Sequence, residues 1–286
     1  MGMHRESYAT MCRMSRLINS HWPRTKYLDV SQANMAYVKQ RKHSHKQTRK
    51  LIRRQLDLLG KILKEIRRMQ REHPDVVMMR EQEGADLITI TKIYRQQANH
   101  FRTNDVRESI PDRIVSISKP YIRPIVRGKE TKSVEFGAKS NNIQVDGISF
   151  IEKLSFNAFN EGCRLPHCIT LHKRLFDLDL KYLAGANSYS GNENRTLCRE
   201  KHIETNFAQK GRKTADHDGK EFIRKELARV RATSMEGSFG TQKEHYSLRK
   251  ILSMTRKTEI LYIFLGIHTA NLVLLAKRIE EMKKTA

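Results

Sequence analysis

The residues of this sequence that most clearly indicate a chemical role form a dense run of positively charged side chains. Between Lys39 and Arg71 there are 13 Lys and Arg residues against two acids, a local net charge of +11. Charge this one-sided is costly unless a polyanion lies nearby, so contact with nucleic-acid phosphates is one interpretation and an ordinary solvated face is the other. The candidate contacts in this run are Arg53, Arg54, Arg67 and Arg68.

The cysteines and glycines do not form a recognised metal, redox or nucleotide motif. The four cysteines contain no CxxC pair, and the closest two, Cys163 and Cys168, are separated by four residues. This spacing supports neither a zinc ribbon nor a redox site. We expect small thiols in a reducing cytosol that are either buried or without a chemical role. Gly128 precedes Lys129, but the spacing of a phosphate-binding P-loop is missing.

Apolar spacing places the positive run on a helix. From about 31 to 70 the pattern is helical, because apolar residues recur at alternating intervals of four and three. This stripe consists of Ile52, Leu56, Leu59, Leu63 and Ile66. The pair His73-Pro74 predicts the end of this helix, and a second helix is expected over about 87–101.

Beyond residue 110 the pattern changes to strands mixed with helices. Strands are expected over 113–118, 121–126, 134–139 and 142–150, with a turn at Asp146-Gly147. Helices are expected over 157–176, 192–201, 220–236 and 241–286, with a strand and turn over 180–190 and a loop over 210–220. The order predicts an irregular segment over 1–30, a basic helical region over 31–103 and an α/β domain over 110–286.

The composition of the whole chain favours a polyanionic partner. Its 286 residues include 55 Lys and Arg against 31 acids, a formal charge of +24. Nucleic acid is the partner expected first, and an anionic membrane surface is the alternative. The first thirty residues lack a signal-peptide pattern, and the apolar stretch 260–276 is short and interrupted for a membrane span. We therefore expect a buried C-terminal helix and a cytoplasmic protein without membrane attachment.

Five strings in succession resemble the DDE transposases encoded by bacterial insertion sequences, over roughly residues 20–286. They are DRIVSISKPYIRPIVRGK (112–129), SVEFGAK (133–139), DGISFIEKLSFNAFNEG (146–162), SYSGNENR (188–195) and MEGSFGTQKEHYSLRKI (235–251). The resemblance implies an RNase H-like mixed sheet flanked by helices. It also implies metal-dependent cleavage and joining of DNA ends, with Mg²⁺ held by two Asp and one Glu. Such ions activate the attacking oxygen and neutralise the leaving oxygen of a phosphodiester.

The resemblance assigns roles to residues near position 236. Glu236 corresponds to the third metal-binding carboxylate, and Lys243, two helical turns further on, to a basic residue that contacts DNA ends. The family's arginine four residues before the Glu is replaced by Ala232, with Arg231 one position away as a further DNA-binding candidate.

The other two carboxylates of the family are missing from this sequence. The second Asp, placed three residues before Tyr189, is replaced by Ala186, 50 residues before Glu236; its neighbour Asn187 offers only a neutral carbonyl. The first Asp belongs to an early strand that the sequence does not contain, which predicts an N-terminally truncated and catalytically impaired copy. Because that strand is central in an RNase H-like sheet, its loss would leave two neighbouring strands with unpaired edges and a tendency to aggregate.

Three further cations, in the string IRPIVRGK, are candidate DNA contacts. Alternation with apolar residues would place Arg123, Arg127 and Lys129 on one face of a strand. Two functional hypotheses result: a transposase-derived protein that binds insertion-sequence ends, with a homodimer as one oligomeric state, and a basic nucleic-acid-binding protein without enzymatic activity.

Overall fold

A computed structural model describes residues 2–21, 23–77, 79–103, 109–126, 134–211 and 217–285. The chain divides into two compact units, Met1–Arg123 and Pro124–Ala286. Residues 110–123 therefore belong to the first unit and not to the α/β domain predicted to begin at residue 110.

The described part of the first unit contains four helices: α1 (Gly2–Leu17), α2 (Tyr27–Lys39), α3 (His45–Glu72) and α4 (Glu81–Thr103). The prediction of an irregular segment over 1–30 is wrong. Helix α1 buries the small polar residues Ser7, Thr10 and Ser15 beside Met11 and Met14, so its buried face shows no apolar periodicity.

The helix predicted over 31–70 is two helices with a break at residues 40–44. Ser44 caps α3, because its hydroxyl accepts a hydrogen bond from the Gln47 amide while the Gln47 side chain accepts one from the Ser44 amide. The predicted end of α3 at His73 and the second helix, observed as α4, are confirmed.

Helix α3 supplies more of the buried apolar core of the first unit than any other described helix. It buries seven apolar side chains, and α1, α2 and α4 pack around them. The buried residues of α3 are Leu51, Leu58, Leu59, Ile62, Leu63, Ile66 and Met69. Of the predicted stripe, Leu59, Leu63 and Ile66 are confirmed, whereas Ile52 is exposed and Leu51 is buried instead.

The predicted strand over 113–118 is a loop packed on α4. Its backbone is hydrogen-bonded to a side chain: Gln96 accepts from the Ile114 amide and donates to the carbonyls of Pro111 and Asp112. Ile114 is buried and Ile117 packs against the helical core, which accounts for the apolar residues of this segment without a strand.

The described part of the second unit contains three two-stranded sheets. The pair β1 (Pro124–Val126) and β2 (Val134–Phe136) is antiparallel, as is the hairpin β3 (Lys139–Val145) and β4 (Ile148–Ser155). The pair β5 (Tyr182–Leu183) and β6 (Glu204–Thr205) is parallel. The predicted turn at Asp146-Gly147 is confirmed, and both residues have the positive φ of 48° and 79° that a two-residue hairpin turn requires.

Five helices accompany these strands: α5 (Leu165–Phe176), α6 (Asn192–Glu200), α7 (His217–Val230), α8 (Glu236–His245) and α9 (Arg256–Thr285). A single π-helical segment, Arg231–Met235, joins α7 to α8. The chain is thus a mixed α/β protein, as predicted, and its helices outnumber its short strands.

Helix α9 is confirmed as a helix, but the expectation that it is buried is wrong. Ile263 and Ile267 are buried beside Asn271, whereas Leu261, Leu265 and other apolar side chains of the helix are exposed. Within the described residues, Arg256–Lys284 is the one helix that is long and apolar enough to cross a membrane by length and composition alone.

Candidate nucleic-acid interface and carboxylate site

The outer face of α3 presents cations to solvent. Arg53, Arg54 and Arg67 are exposed, and none of them makes an ion pair with another described residue. Arg53 and Arg67 lie fourteen residues apart, close to four helical turns, so they share one face of the helix. These guanidinium groups are therefore available to an external anion.

Arg68 is held by two acids of its own helix. Its guanidinium lies 2.5 Å from a Glu65 oxygen and 3.0 Å from a Glu72 oxygen. The hydrogen bond with Glu65 and the charges of both acids raise the pKa of Arg68. Two carboxylates already neutralise this cation, so it is a weaker phosphate contact than Arg53 or Arg67.

A second group of cations surrounds a cleft of about 420 Å³ in the first unit, between α4 and the loop that follows it. Lys92, Arg95 and Arg123 line it together with Asp112. Arg123 is positioned by its own loop, because it donates to the carbonyls of Pro120 and Ile122 at 2.5 and 3.1 Å. The sequence analysis did not identify Lys92 and Arg95, because one Lys and one Arg in an amphipathic helix carry no distinguishing pattern.

The structure does not establish the strand face that was predicted for Arg123, Arg127 and Lys129. Arg123 precedes β1, so it is not one of the paired strand residues, and Arg127 and Lys129 lie outside the described residues.

Glu236 is the first residue of α8, directly after the π-helical segment. Its side chain is 54% exposed, and a carboxylate oxygen accepts a hydrogen bond from Arg231 at 2.8 Å. Lys243 lies two turns further along α8 and lines a smaller cavity of about 150 Å³ beside Asn142 of β3. The structure therefore brings Arg231 to Glu236 as an ion pair, and the wider π turn makes that contact between residues five apart.

Ala186 lies three residues after the end of β5, directly before a 3₁₀ turn, Asn187–Tyr189. Two side chains fix this turn: Tyr189 donates its hydroxyl to the Asn141 side-chain oxygen, and Asn194 donates to the Tyr189 carbonyl at 2.9 Å. Burial raises the pKa of the Tyr189 phenol, so the hydroxyl remains a neutral donor. A position shortly beyond the end of a parallel strand suits a functional side chain, but alanine provides no ligand atom there.

A β-bulge in the hairpin was not predicted from the sequence. Asn141 pairs with Lys153 and Asn142 with Ile151, which leaves Glu152 as the extra residue on β4. Its side chain, 5% exposed, accepts hydrogen bonds from Arg164 and from Asn141. Burial would raise the pKa of Glu152, but these hydrogen bonds and the Arg164 charge outweigh it, and the pKa lies below its usual value. The sequence contained one signal for this buried acid, a glutamate within the largely apolar string FIEKL.

These residues do not form a centre for two metal ions. Among the described residues, no cluster of three or more His, Cys, Asp or Glu side chains could hold a metal. The positions that the resemblance assigns supply one carboxylate, Glu236, which is already paired with Arg231, and the methyl group of Ala186. Mg²⁺ requires several hard oxygen ligands, so this set of residues does not fit it.

No family model, curated protein or solved structure matches this chain.

Proposed function

We propose that this chain is a cytoplasmic nucleic-acid-binding protein of the DDE transposase type, with an incomplete set of catalytic carboxylates. The observation that carries the proposal is the outer face of α3, where Arg53, Arg54 and Arg67 are exposed without a described acidic partner in a chain of net charge +24. Phosphate oxygens of a nucleic acid would relieve that repulsion and release counterions.

The order of elements supports the finer proposal of an RNase H-like domain in the second unit. From β3 onwards the chain forms a hairpin, a helix, a strand, a helix, a strand and a helical segment that carries Glu236. The expected central strand of such a sheet would lie between an antiparallel and a parallel part. A domain without that strand would retain two separate pieces, and the hairpin β3–β4 and the parallel pair β5–β6 fit that description.

The chemistry of the site limits the proposal to binding. Strand transfer needs carboxylates that position metal ions around the phosphodiester, and Ala186 removes one of them. Lys243 remains suited to contact a DNA backbone beside Glu236, whereas Arg231 is already paired with that carboxylate. We therefore propose affinity for insertion-sequence ends without efficient cleavage or joining.

DNA binding is tested by removing charges from α3. We expect Arg53→Ala combined with Arg67→Ala to weaken binding of a short duplex and to reduce the salt slope of the binding constant by about 2, one for each phosphate contact. Arg174→Ala is the matched control, because Arg174 is exposed on α5 and carries the same charge. If Arg174→Ala lost as much affinity per removed charge as the α3 variant, a specific interface on α3 would be contradicted.

The transposase character is tested separately, with a strand-transfer assay on candidate terminal inverted repeats in Mg²⁺ or Mn²⁺. We expect preferential binding of the repeat and no joined product. Joined product that disappears in Glu236→Gln would contradict the loss of catalysis. Equal affinity for repeat and random duplex would favour the alternative, a nonspecific basic nucleic-acid-binding protein, which the poor fit of these residues to a metal centre also supports.

A further inference from the structure

The C-terminal helix α9 has two apolar faces, and only one of them is buried. On the buried face, Ile263 and Ile267 lie beside Asn271. The side-chain oxygen of Asn271 accepts a hydrogen bond from the Ser149 amide of β4, and its side-chain nitrogen donates one to the Ser149 carbonyl. The other face consists of seven exposed positions, which we call the α9 seam. They are Leu261, Leu265, His268, Leu272, Leu275, Ile279 and Met282.

The spacing within the α9 seam is that of a coiled coil. Successive members are separated by four and three residues in strict alternation, from Leu261 to Met282, which is three heptads. In a coiled coil such positions form the a and d rows, whose side chains insert between residues of a partner helix. At 1.5 Å per residue the seam is about 31 Å long. Six of its seven side chains are apolar, and none is Asp, Glu, Lys or Arg.

We propose that the α9 seam is a dimerisation surface and that its partner is the same seam on a second copy of this chain. A helix with the same heptad spacing and the same length is the complement that such a face requires, and a second copy supplies both. Exposed apolar stripes of this length are unusual on monomeric soluble proteins and mark interaction sites.

The charges beside the seam favour a helical partner over a lipid surface. Lys277, Arg278, Glu280, Glu281 and Lys283 surround its last heptad. In a coiled coil these side chains flank the a and d rows and remain in water. Insertion of the same segment into hydrocarbon would bury both signs of charge at high cost.

The size of the seam predicts a concentration-dependent dimer. With neighbours such as Phe264 and Val273 it offers about ten partly exposed side chains, and at roughly 60 Å² each this gives on the order of 600 Å² per copy. Stable interfaces bury about 800 Å² per partner. We therefore expect an equilibrium between monomer and dimer in the micromolar range.

The dependence on salt concentration distinguishes dimerisation through the seam from binding to an anionic partner. Two copies of net charge +24 repel each other, and the seam contains no Asp, Glu, Lys or Arg that could form ion pairs between them. Added salt screens the repulsion, so the dimer is expected to become stronger with ionic strength. Attachment to anionic lipid or nucleic acid would become weaker under the same change.

The test compares two leucines that are both 65% exposed, Leu272 in the seam and Leu178 after α5. Mass in solution is measured by light scattering over about 1–100 µM. We expect a rise from 33.5 kDa toward twice that mass for the natural chain and for Leu178→Lys. Leu272→Lys should weaken dimerisation by roughly a hundredfold, because it buries a charge in the seam. Its circular dichroism should remain unchanged, since the site is exposed in the monomer.

A second variant acts in the opposite direction. His268 is the polar member of the seam, and His268→Leu should tighten the dimer by roughly tenfold. A monomeric natural chain at all concentrations, or a dimer unaffected by Leu272→Lys, would overturn the proposal. So would flotation of the natural chain with neutral phosphatidylcholine vesicles that Leu272→Lys abolishes, because the seam would then bind lipid.

Discussion

The four thiols differ in exposure, and this difference has a measurable consequence. Cys163 is exposed, whereas Cys12, Cys168 and Cys198 are buried. Burial raises the pKa of Cys168 to about 11 and also raises the pKa of Cys198. Because the thiolate is the reactive form, we expect an aromatic disulfide reagent at pH 8 to label one thiol quickly and three slowly. Cys163→Ser should remove the fast phase, and two fast phases in the natural chain would contradict the packing.

The bulge residue Glu152 predicts a contribution to stability that depends on pH. Its pKa is lowered in the folded chain, so this stability is present above the ordinary pKa of a glutamate and is lost as the pH falls through the lowered value. We expect Glu152→Gln to reduce the free energy of unfolding by about 1–3 kcal/mol at pH 7. The difference from the natural chain should shrink toward pH 3 in urea titrations.

A matched position tests that assignment. Glu244 is paired with Arg249 at 3.0 Å, but its side chain is 56% exposed. Glu244→Gln should change stability little at any pH, since exposed ion pairs contribute little. A Glu152→Gln effect that is equally small, or that does not depend on pH, would mean that the Glu152–Arg164 pair does not hold the bulge.

At the scale of elements, one close approach fixes the turn that contains Ala186. A Cβ on Gly162 would lie 2.3 Å from the Ser188 carbonyl oxygen. The 3₁₀ turn Gly162–Arg164 can therefore meet the turn Asn187–Tyr189 only if residue 162 is glycine. We expect Gly162→Ala to destabilise the second unit by about 1–3 kcal/mol, measured by thermal unfolding. Gly240→Ala is the control: it lies inside α8 and has no neighbour within 4 Å, so it should be neutral or slightly stabilising. Equal effects would contradict the close approach.

The elements that the sequence predicted well are those with a local signal. Asp146-Gly147 identifies the hairpin turn, and His73 with Pro74 identifies the end of α3, because turn and cap chemistry depend on adjacent residues. Helix α1 escaped prediction since its buried face contains serine and threonine. The strand predicted at 113–118 is wrong because Ile114 and Ile117 pack on the helical unit while Gln96 accepts a hydrogen bond from the Ile114 amide. Such partners come from distant residues and leave no local pattern.

The candidate site was predictable to the same extent. Arg53, Arg54 and Arg67 could be selected from charge density alone, and the structure leaves them exposed. The neutralisation of Arg68 by Glu65 and Glu72 could be anticipated from their spacing of three and four residues along the helix. A selection based only on the number of cations does not take such pairs into account. The ion pair of Arg231 with Glu236 required the π turn, which is not visible in the sequence.

At the scale of the whole molecule, the excess of 24 positive charges acts on stability as well as on binding. Self-repulsion of the folded chain is largest at low ionic strength, so we expect the melting temperature to rise as salt increases from about 20 to 200 mM. A short DNA duplex at about 100 times its Kd should add about 2.7 kcal/mol at low salt, or roughly 5–10 °C. The Arg53→Ala and Arg67→Ala double variant should keep the salt trend and lose most of the DNA effect. If the melting temperature changed with neither salt nor DNA, the positive charge would be balanced within the chain. The proposed interface on α3 would then have no physical basis.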